Sequence, residues 1–248
     1  MTIDPYQSYW TAVTHALGLN PRHRATAIKL SGSPVAGWSG ERVVESLHTA
    51  LDGSFWLHPA NTSRSNWMWR ETVPPAAEAS LEVGVERLVA ELSGPDKWTC
   101  QMPTLSGYLG AAANKRRSID LVQRVSADRY RFIELKISSD NPVYAVFELL
   151  GYAVCYLHAR RHGHQGSGKY SVLSATGLEL VVLAPSEWYR FRRRTDEGFT
   201  QFDLVWLTRP LAEGLRALSR LDVEFRFESF VWTGDKAAAA ADIHSRLG

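Results

Sequence analysis

The sequence has few of the features that define several large classes of protein. Its two cysteines, Cys100 and Cys155, match no zinc-ligand spacing, which argues against both a disulfide framework and a zinc finger. It has no run of about 18 apolar residues, and its first residues lack the basic start and the apolar stretch of a secretory signal. These absences predict a cytoplasmic protein that makes no contact with a membrane.

Signatures of several enzyme classes are missing as well. The chain has no Gly-rich phosphate loop and no Gly-x-Ser-x-Gly motif, so the sequence does not support P-loop nucleotide hydrolysis or α/β-hydrolase chemistry. His158, His162 and His164 lie close together, but no cysteine or acidic residue accompanies them at ligand spacing. A metal site at these histidines is therefore disfavoured.

The pattern of the remaining sequence predicts the fold class. The 248 residues are 45% hydrophobic and 22% charged, which suits one elaborated domain or a domain with a small extension. From residue 79 onward helical and strand patterns alternate, which predicts an α/β fold with a mixed central sheet flanked by helices. The predicted helices are 79–92, one opened by Pro142, 209–219 and 236–247. The predicted strands are 98–102, those carrying Asp120 and Glu134, 178–184 and 223–232.

Residues 1–75 differ in character and predict a tryptophan-rich N-terminal extension to a core of residues 76–248. The extension holds five of the nine tryptophans, namely Trp10, Trp38, Trp56, Trp67 and Trp69. Its patterns predict helices at 6–17 and 41–51 and a strand at 25–30. It could recognise a substrate, mediate dimerisation or cover the core sheet. Trp67 and Trp69 could stack on nucleic-acid bases, although buried packing is favoured.

The most informative segment is 118–136. An apolar strand carrying Asp120 runs through a short turn into a second apolar strand carrying Glu134 and Lys136. Because side chains alternate along a strand, Glu134 and Lys136 project from one face, and Ile133 and Leu135 from the other. Charges on strands that otherwise look buried are costly unless they are paired or bind a metal. The segment therefore predicts a functional site.

The length of the turn decides whether the carboxylates can meet. A four-residue loop at 126–129 would set Asp120 opposite Leu135, on the wrong face of the sheet. The site requires a three- or five-residue loop, or a bulge that switches the face. We predict one of these, and opposite faces for Asp120 and Glu134 would exclude a metal site.

Two helices flank this hairpin, and each carries acidic residues. The helix opened by Pro142 contains Glu148-x-x-x-Tyr152, and the helix at 79–92 carries Glu82 and Glu86 one turn apart. Ordinary packing with a polar tip at the surface would explain any one of these positions. Between the two upstream residues, Glu86 is favoured as a contributor to a site.

The order of these elements resembles the PD-(D/E)XK phosphodiesterase superfamily, which has the restriction-endonuclease-like fold. The resemblance covers about residues 78–185 and is carried by Asp120, by Glu134-Leu135-Lys136 on the next strand and by the helix motif after it. Many of these nucleases have Gln-x-x-x-Tyr on that helix, and this chain departs from the pattern with Glu148. The resemblance implies a restriction-endonuclease-like mixed sheet and a metal-dependent nuclease, favouring DNA over RNA, in restriction, repair or defence.

The resemblance also implies the cofactor and its ligands. Asp120, Glu134 and the backbone carbonyl of Leu135 would bind Mg²⁺, with Mn²⁺ as a substitute. The chemistry agrees, because Mg²⁺ prefers carboxylate and water oxygens and lowers the pKa of a bound water. Lys136 would orient that water or stabilise developing charge. The residues that would help to shape the site are Glu86, Glu148 and Tyr152.

The distribution of basic residues fits a nucleic-acid partner. The net charge is only +2, so no global field attracts nucleic acid, but Lys115, Arg116 and Arg117 stand just before the Asp120 strand. Further basic groups occur at 160–161 and 190–194. Such clusters can neutralise phosphates, although any one of them could serve solubility alone. We predict that residues 115–117 bind nucleic acid.

Other interpretations of the same residues remain open. Glu134 and Lys136 could form a surface ion pair of little energetic value. The fold could carry a nucleic-acid- or protein-binding module that does not catalyse, or a regulatory subunit with a tryptophan-rich interface. A homodimer would suit double-strand cleavage, but no residue indicates one.

Overall fold

A computed structural model describes the chain over residues 38–52, 66–75, 79–104, 118–138, 142–164, 166–192, 199–201 and 204–248. The helices in these ranges are α1 (Gly40–Asp52), α2 (Leu81–Ser93), α3 (Pro142–Arg161), α4 (Val205–Ser219) and α5 (Lys236–Leu247). The strands are β1 (Met68–Trp69), β2 (Trp98–Pro103), β3 (Ser118–Arg124), β4 (Arg129–Leu135), β5 (Ser167–Gly168), β6 (Gly177–Pro185), β7 (Arg190–Arg192), β8 (Phe199–Gln201) and β9 (Asp222–Phe230). The predicted helix 6–17 and strand 25–30 lie outside the described residues.

Five of the strands form one mixed central sheet in the order β2-β3-β4-β6-β9. The pairs β2–β3 and β3–β4 are antiparallel, whereas β6 runs parallel to β4 and β9 runs parallel to β6. All nine residues of β6 are buried, as predicted for a strand covered on both faces. The predicted α/β class with a mixed sheet flanked by helices is confirmed.

Helices cover both faces of the sheet. On one face, Val122 and Phe132 of the sheet pack in a core cluster with residues of α1, α3 and α4. On the other face, Leu121 and Ile133 pack with residues of α2 and α5. Alternate side chains of β3 and β4 thus contribute to two separate apolar layers, one on each face of the sheet. Helices cover both layers.

The central helix α3 is unusually apolar. By length and composition it could cross a membrane, since an 18-residue window has a mean hydropathy of 1.2. In this fold 83% of that window is buried inside the protein, as is common for the core helix of a globular domain. The cytoplasmic location stays a prediction.

The described part of the N-terminal extension packs on the core. Helix α1 lies against α4, and Val43, Val44 and Leu47 of α1 are part of the core cluster that contains α3. The two helices cross at glycines. A Cβ atom on Gly40 would lie 2.2 Å from the carbonyl carbon of Pro210, and one on Gly214 would lie 2.9 Å from the Glu41 Cα. Only glycine allows backbones to approach this closely.

Trp67 and Trp69 of the extension also pack on the core, while Trp10 and Trp56 lie outside the described residues. Trp67 and Trp69 are each 1% exposed. Trp67 stacks on Phe132 with ring centroids 6.2 Å apart and meets Tyr156 edge-on at 5.6 Å. This confirms the favoured buried packing, and it leaves neither ring available for stacking on bases.

The hairpin between β3 and β4 has the turn length that the site requires. The Val125 N–H donates to the Arg129 carbonyl at 2.9 Å, which leaves residues 126–128 as a three-residue loop. The register then pairs Arg124 with Tyr130 and Leu121 with Ile133. Continued by one residue, it sets Asp120 opposite Glu134. Of the three predicted alternatives, the structure has the three-residue loop.

Candidate functional site

Asp120 lies where the two strands of the hairpin separate. A continued antiparallel ladder would pair the Leu135 N–H with Ile119, but this N–H donates instead to Asp120 Oδ2 at 2.9 Å. Ile119 and Leu121 belong to opposite core clusters, so the normal alternation of side chains is broken at Asp120. The break lets the Asp120 carboxylate enter the gap between β3 and β4.

Lys136 follows directly after β4 and is held between two glutamates. Its Nζ lies 2.7 Å from Glu134 Oε1 and 2.7 Å from Glu148 Oε2. The side chains of Lys136, Glu134 and Glu148 are only 8%, 4% and 13% exposed. The ring of Tyr144 on α3 lies 5.7 Å from the same Nζ. These contacts rule out the interpretation of Glu134 and Lys136 as a solvated surface pair.

Glu86 reaches the same region from α2, on the other face of the sheet. It is 1% exposed, and its Oε2 accepts a short hydrogen bond from the Gln101 side-chain amide. Glu82, one turn earlier, accepts the Ile137 N–H at 2.9 Å and so ties α2 to the chain after β4. Glu86 lies near Glu134 and Asp120, as their mutual repulsion shows, whereas Glu82 binds backbone. A contribution of Glu86 to the site stays a prediction.

The carboxyl groups of the site raise one another's pKa values. Burial raises the pKa of Glu86 to about 8, and repulsion from Glu134 adds to the shift. Burial, followed by repulsion from Glu134 and Glu86, also raises the pKa of Asp120. The pKa of Glu148 is raised by burial and by Glu134. Two buried carboxyl groups, of Glu86 and Glu134, and two partly buried ones, of Asp120 and Glu148, thus share one region. Ionisation of all four is unfavourable there without cations.

Lys136 is the cation that these carboxylates share. Burial alone would lower its pKa, but the attraction of Glu134, Glu148 and Asp120 outweighs burial and raises it. The amine is therefore protonated at neutral pH. It can hold negative charge in place, but it cannot accept a proton as a general base.

The donor set fits a hard divalent cation such as Mg²⁺. Glu134 Oε2 is buried and has no hydrogen-bond partner in the part of the chain that the structure describes. The same ranges contain no group of three or more His, Cys, Asp or Glu side chains that could hold a metal ion. A cation at Asp120 and Glu134 would thus need backbone, water or substrate oxygens to complete its shell, which is how Mg²⁺ is often bound.

The structure describes some of the remaining predicted site residues and not others. Lys115, Arg116 and Arg117 lie outside the described residues. Tyr152 is 5% exposed and lies in the core cluster one turn beyond Glu148. Leu135 has a buried side chain, and its N–H contacts Asp120. The roles of Tyr152 and of the Leu135 carbonyl, and nucleic-acid binding by 115–117, stay predictions.

Three residues near the site were missed in the sequence. Gln101 contacts Glu86, Ser118 contacts Gln101, and Tyr144 lies over Lys136. Tyr144 precedes Glu148 by one helical turn, so its place on the same side of α3 could have been read from the spacing. Gln101 and Ser118 depend on the register between β2 and β3, which no pattern in the sequence reveals.

Comparison of the chain with models of known protein families, with curated proteins and with solved structures finds no match in any of the three. The chemistry of the site must therefore be argued from its own residues.

Without metal, we expect the free energy of unfolding to fall as the pH rises from about 5 to about 8. The folded-state pKa of Glu86 is raised from an ordinary 4.5 to about 8. Its stabilising contribution is therefore complete below the lower value and is lost as the pH passes through the higher one. Lys136 stays protonated throughout this window and does not oppose the trend. Urea unfolding in a chelating buffer at several pH values measures the slope.

The Glu86→Gln variant should flatten that slope and be more stable than wild type at pH 8. Glu91→Gln is the matched control, because Glu91 is on the exposed side of the same helix. Equal slopes for Glu86→Gln and wild type would show that Glu86 is not the group responsible.

Proposed function

We propose that this protein is a metal-dependent nuclease that hydrolyses phosphodiester bonds, with DNA favoured over RNA. One observation carries the proposal. The Asp120 carboxylate accepts the Leu135 N–H at the point where β3 and β4 separate, and Glu134, next to Leu135, forms an ion pair with the buried and protonated Lys136. This is the combination that the PD-(D/E)XK resemblance requires, within a mixed sheet of the general class that it implies.

Each residue has a distinct role in this proposal. Asp120 and Glu134 would hold Mg²⁺ or Mn²⁺, and Glu134 Oε2 is buried without a hydrogen-bond partner among the described residues. The ion, when bound, supplies charge neutralisation on the phosphate and a more acidic water. Lys136 supplies a fixed positive charge that stabilises a developing oxyanion. Glu148 and Glu134 each hold this ammonium in position through an ion pair of 2.7 Å.

The two ion pairs of Lys136 also support an alternative function. Both of its glutamate partners lie at 2.7 Å, so the cluster forms a closed ion-pair network that could serve stability alone. The same fold would then be a module that binds nucleic acid or protein and does not cut. Such a protein would bind DNA in the presence of a chelator and leave it intact when metal is added.

Cleavage of plasmid and linear DNA in Mg²⁺ or Mn²⁺ tests the proposal. We expect metal-dependent cutting by wild type and a loss of at least about 100-fold in Glu134→Gln, which removes a charged ligand but keeps the shape of the side chain. Glu213→Gln, on the exposed side of α4, is the control and should cut like wild type. An RNA substrate in parallel tests the preference for DNA.

Folded wild-type protein that cuts neither DNA nor RNA with either metal would contradict the proposal. Cutting that survives in Glu134→Gln would place the activity elsewhere in the chain. The fragment pattern distinguishes degradation from the ends of DNA from cleavage at internal sites. It also helps to decide whether the protein acts in restriction, repair or defence. Sedimentation of the same sample tests whether the protein is a homodimer, which would suit double-strand cleavage.

A further inference from the structure

Gln101 has an unusual backbone conformation for a residue inside a strand. Its φ is +51°, in the left-handed region that favours glycine. The other non-glycine residues with positive φ in the described ranges are Trp67, beside a turn, and Arg220, at the end of α4. A strained conformation that persists within a strand calls for an explanation in terms of function.

The conformation of Gln101 interrupts the sheet beside Asp120. The register pairs Cys100 with Leu121 and Met102 with Ile119, which sets Gln101 opposite Asp120. The pairing skips these two residues and resumes after them. The kink in β2 therefore coincides with the break in β3 that admits the Asp120 carboxylate to the gap between the strands.

The side-chain amide of Gln101 is held by hydrogen bonds at both its oxygen and its nitrogen. The Ser118 hydroxyl donates to Gln101 Oε1 at 3.0 Å, and the amide nitrogen donates to Glu86 Oε2. Because the hydroxyl engages the amide oxygen, the amide nitrogen is directed at the carboxylate. Ser118, Gln101 and Glu86 thus form a chain of hydrogen bonds that crosses from β3 through β2 to α2.

We propose that Gln101 is a positioning residue that holds the Glu86 carboxylate beside Asp120 and Glu134, and so raises the affinity of the site for a divalent cation. The inference rests on the proposed function. Two further observations point the same way: the strained φ of Gln101, and the buried Glu134 Oε2 that has no hydrogen-bond partner among the described residues. Residues that orient the ligands of a metal commonly change its affinity when they are replaced.

Mn²⁺ binding to the full chain without DNA, followed by electron paramagnetic resonance of the free ion, tests this inference. Gln101→Met keeps the length of the side chain and removes the amide, and it should weaken Mn²⁺ binding by about 10-fold. Ser118→Ala removes only the hydroxyl that orients the amide. It should weaken binding by a smaller factor, and it decides the question if Gln101→Met does not fold.

Gln123→Met is the matched control. Gln123 is a buried glutamine on β3, 1% exposed, and its amide donates to the Leu247 carbonyl rather than to the carboxylates. This variant should lose stability and keep the wild-type affinity for Mn²⁺. Thermal unfolding of all the variants separates loss of the fold from loss of metal binding.

The outcomes distinguish the inference from the proposed function. Wild-type affinity for Mn²⁺ in folded Gln101→Met, or in Ser118→Ala if Gln101→Met is unfolded, would overturn the positioning role and leave the nuclease proposal intact. Equal weakening in Gln101→Met and Gln123→Met would also overturn it, since general loss of packing would then suffice. Wild-type protein that neither binds Mn²⁺ nor cuts DNA would overturn both.

Discussion

Replacing Lys136 with methionine is expected to destabilise the protein by about 3–5 kcal/mol at neutral pH, because it leaves two buried carboxylates without their shared cation. Methionine keeps the length and much of the volume of the side chain, so the effect reports the lost charge. The same variant should lose at least about 100-fold in DNA cleavage, since the positive charge near the phosphate is gone. Urea unfolding in a chelating buffer and the cleavage assay measure the two effects.

The matched control for this prediction is Lys169→Met. Lys169 also pairs with a carboxylate, that of Asp96, but the two side chains are 43% and 70% exposed. Solvent screens such a pair, and the variant should unfold close to wild type. The double variant Lys136→Met/Glu148→Gln should recover part of the lost stability, because one orphaned charge is removed as well. A Lys136→Met protein as stable as wild type would show that the carboxylates do not depend on this lysine.

Replacing Asp120 with asparagine should move stability and activity in opposite directions. The asparagine oxygen can still accept the Leu135 N–H, while repulsion from Glu134 and Glu86 disappears. Folding raises the pKa of Asp120, so ionisation of this carboxyl group opposes folding at high pH. Removal of the charge should therefore stabilise the metal-free protein by at least about 1 kcal/mol at pH 8. Cleavage should fall by at least about 100-fold, since a ligand of the proposed metal is lost.

The effect of metal on the unfolding temperature shows whether Asp120→Asn removes a metal ligand. Mg²⁺ or Mn²⁺ should raise the unfolding temperature of wild type and have little effect on the variant, because a ligand that binds only the folded state stabilises it. Asp96→Asn is the control. Asp96 is exposed, and Lys169 lowers its pKa, so its replacement should slightly weaken the protein and leave the response to metal unchanged. Destabilisation of metal-free Asp120→Asn at pH 8 would contradict the assigned repulsion.

The parts of the site that could be predicted from the sequence are those set by local periodicity. Two-residue alternation places Glu134 and Lys136 together, and the parity of a three-residue loop brings Asp120 opposite Glu134. These pairings depend only on residues within one hairpin, whereas the break in alternation at Asp120 coincides with the kink of Gln101 in β2. The order of helices and strands was predictable for the same reason, since each element carries its own pattern.

The parts that could not be predicted depend on which strands become neighbours. Glu179 lies in β6, which reads as an apolar strand, yet its buried carboxylate is 2.5 Å from Arg131 Nε and 3.2 Å from Arg226 Nη1. Those partners belong to β4 and β9, and only the finished sheet brings them together. Gln101 is a similar case, because its place opposite Asp120 depends on a strand pairing closed by a long connection.

Helix boundaries next to proline were also misjudged. The helix predicted at 209–219 begins at Val205 in the structure, so Pro210 lies inside α4. Proline lacks the N–H that would bond to the preceding turn, and it is usually read as a helix start or stop. The apolar residues before it, Leu207 among them, pack in the core and extend the helix through the proline.

The glycine crossing between α1 and α4 limits how this part of the chain can be exchanged during evolution. A fragment beginning after residue 75 would expose the apolar sides of α3 and α4 that α1 and Trp67 cover, and such surfaces favour aggregation. Because the backbones meet at Gly40 and Gly214, a foreign helix could replace α1 only if it also carried a glycine at the crossing. Helix α1 is thus a poor unit for domain shuffling, and it is expected to be inherited and to diverge together with the core on which it packs.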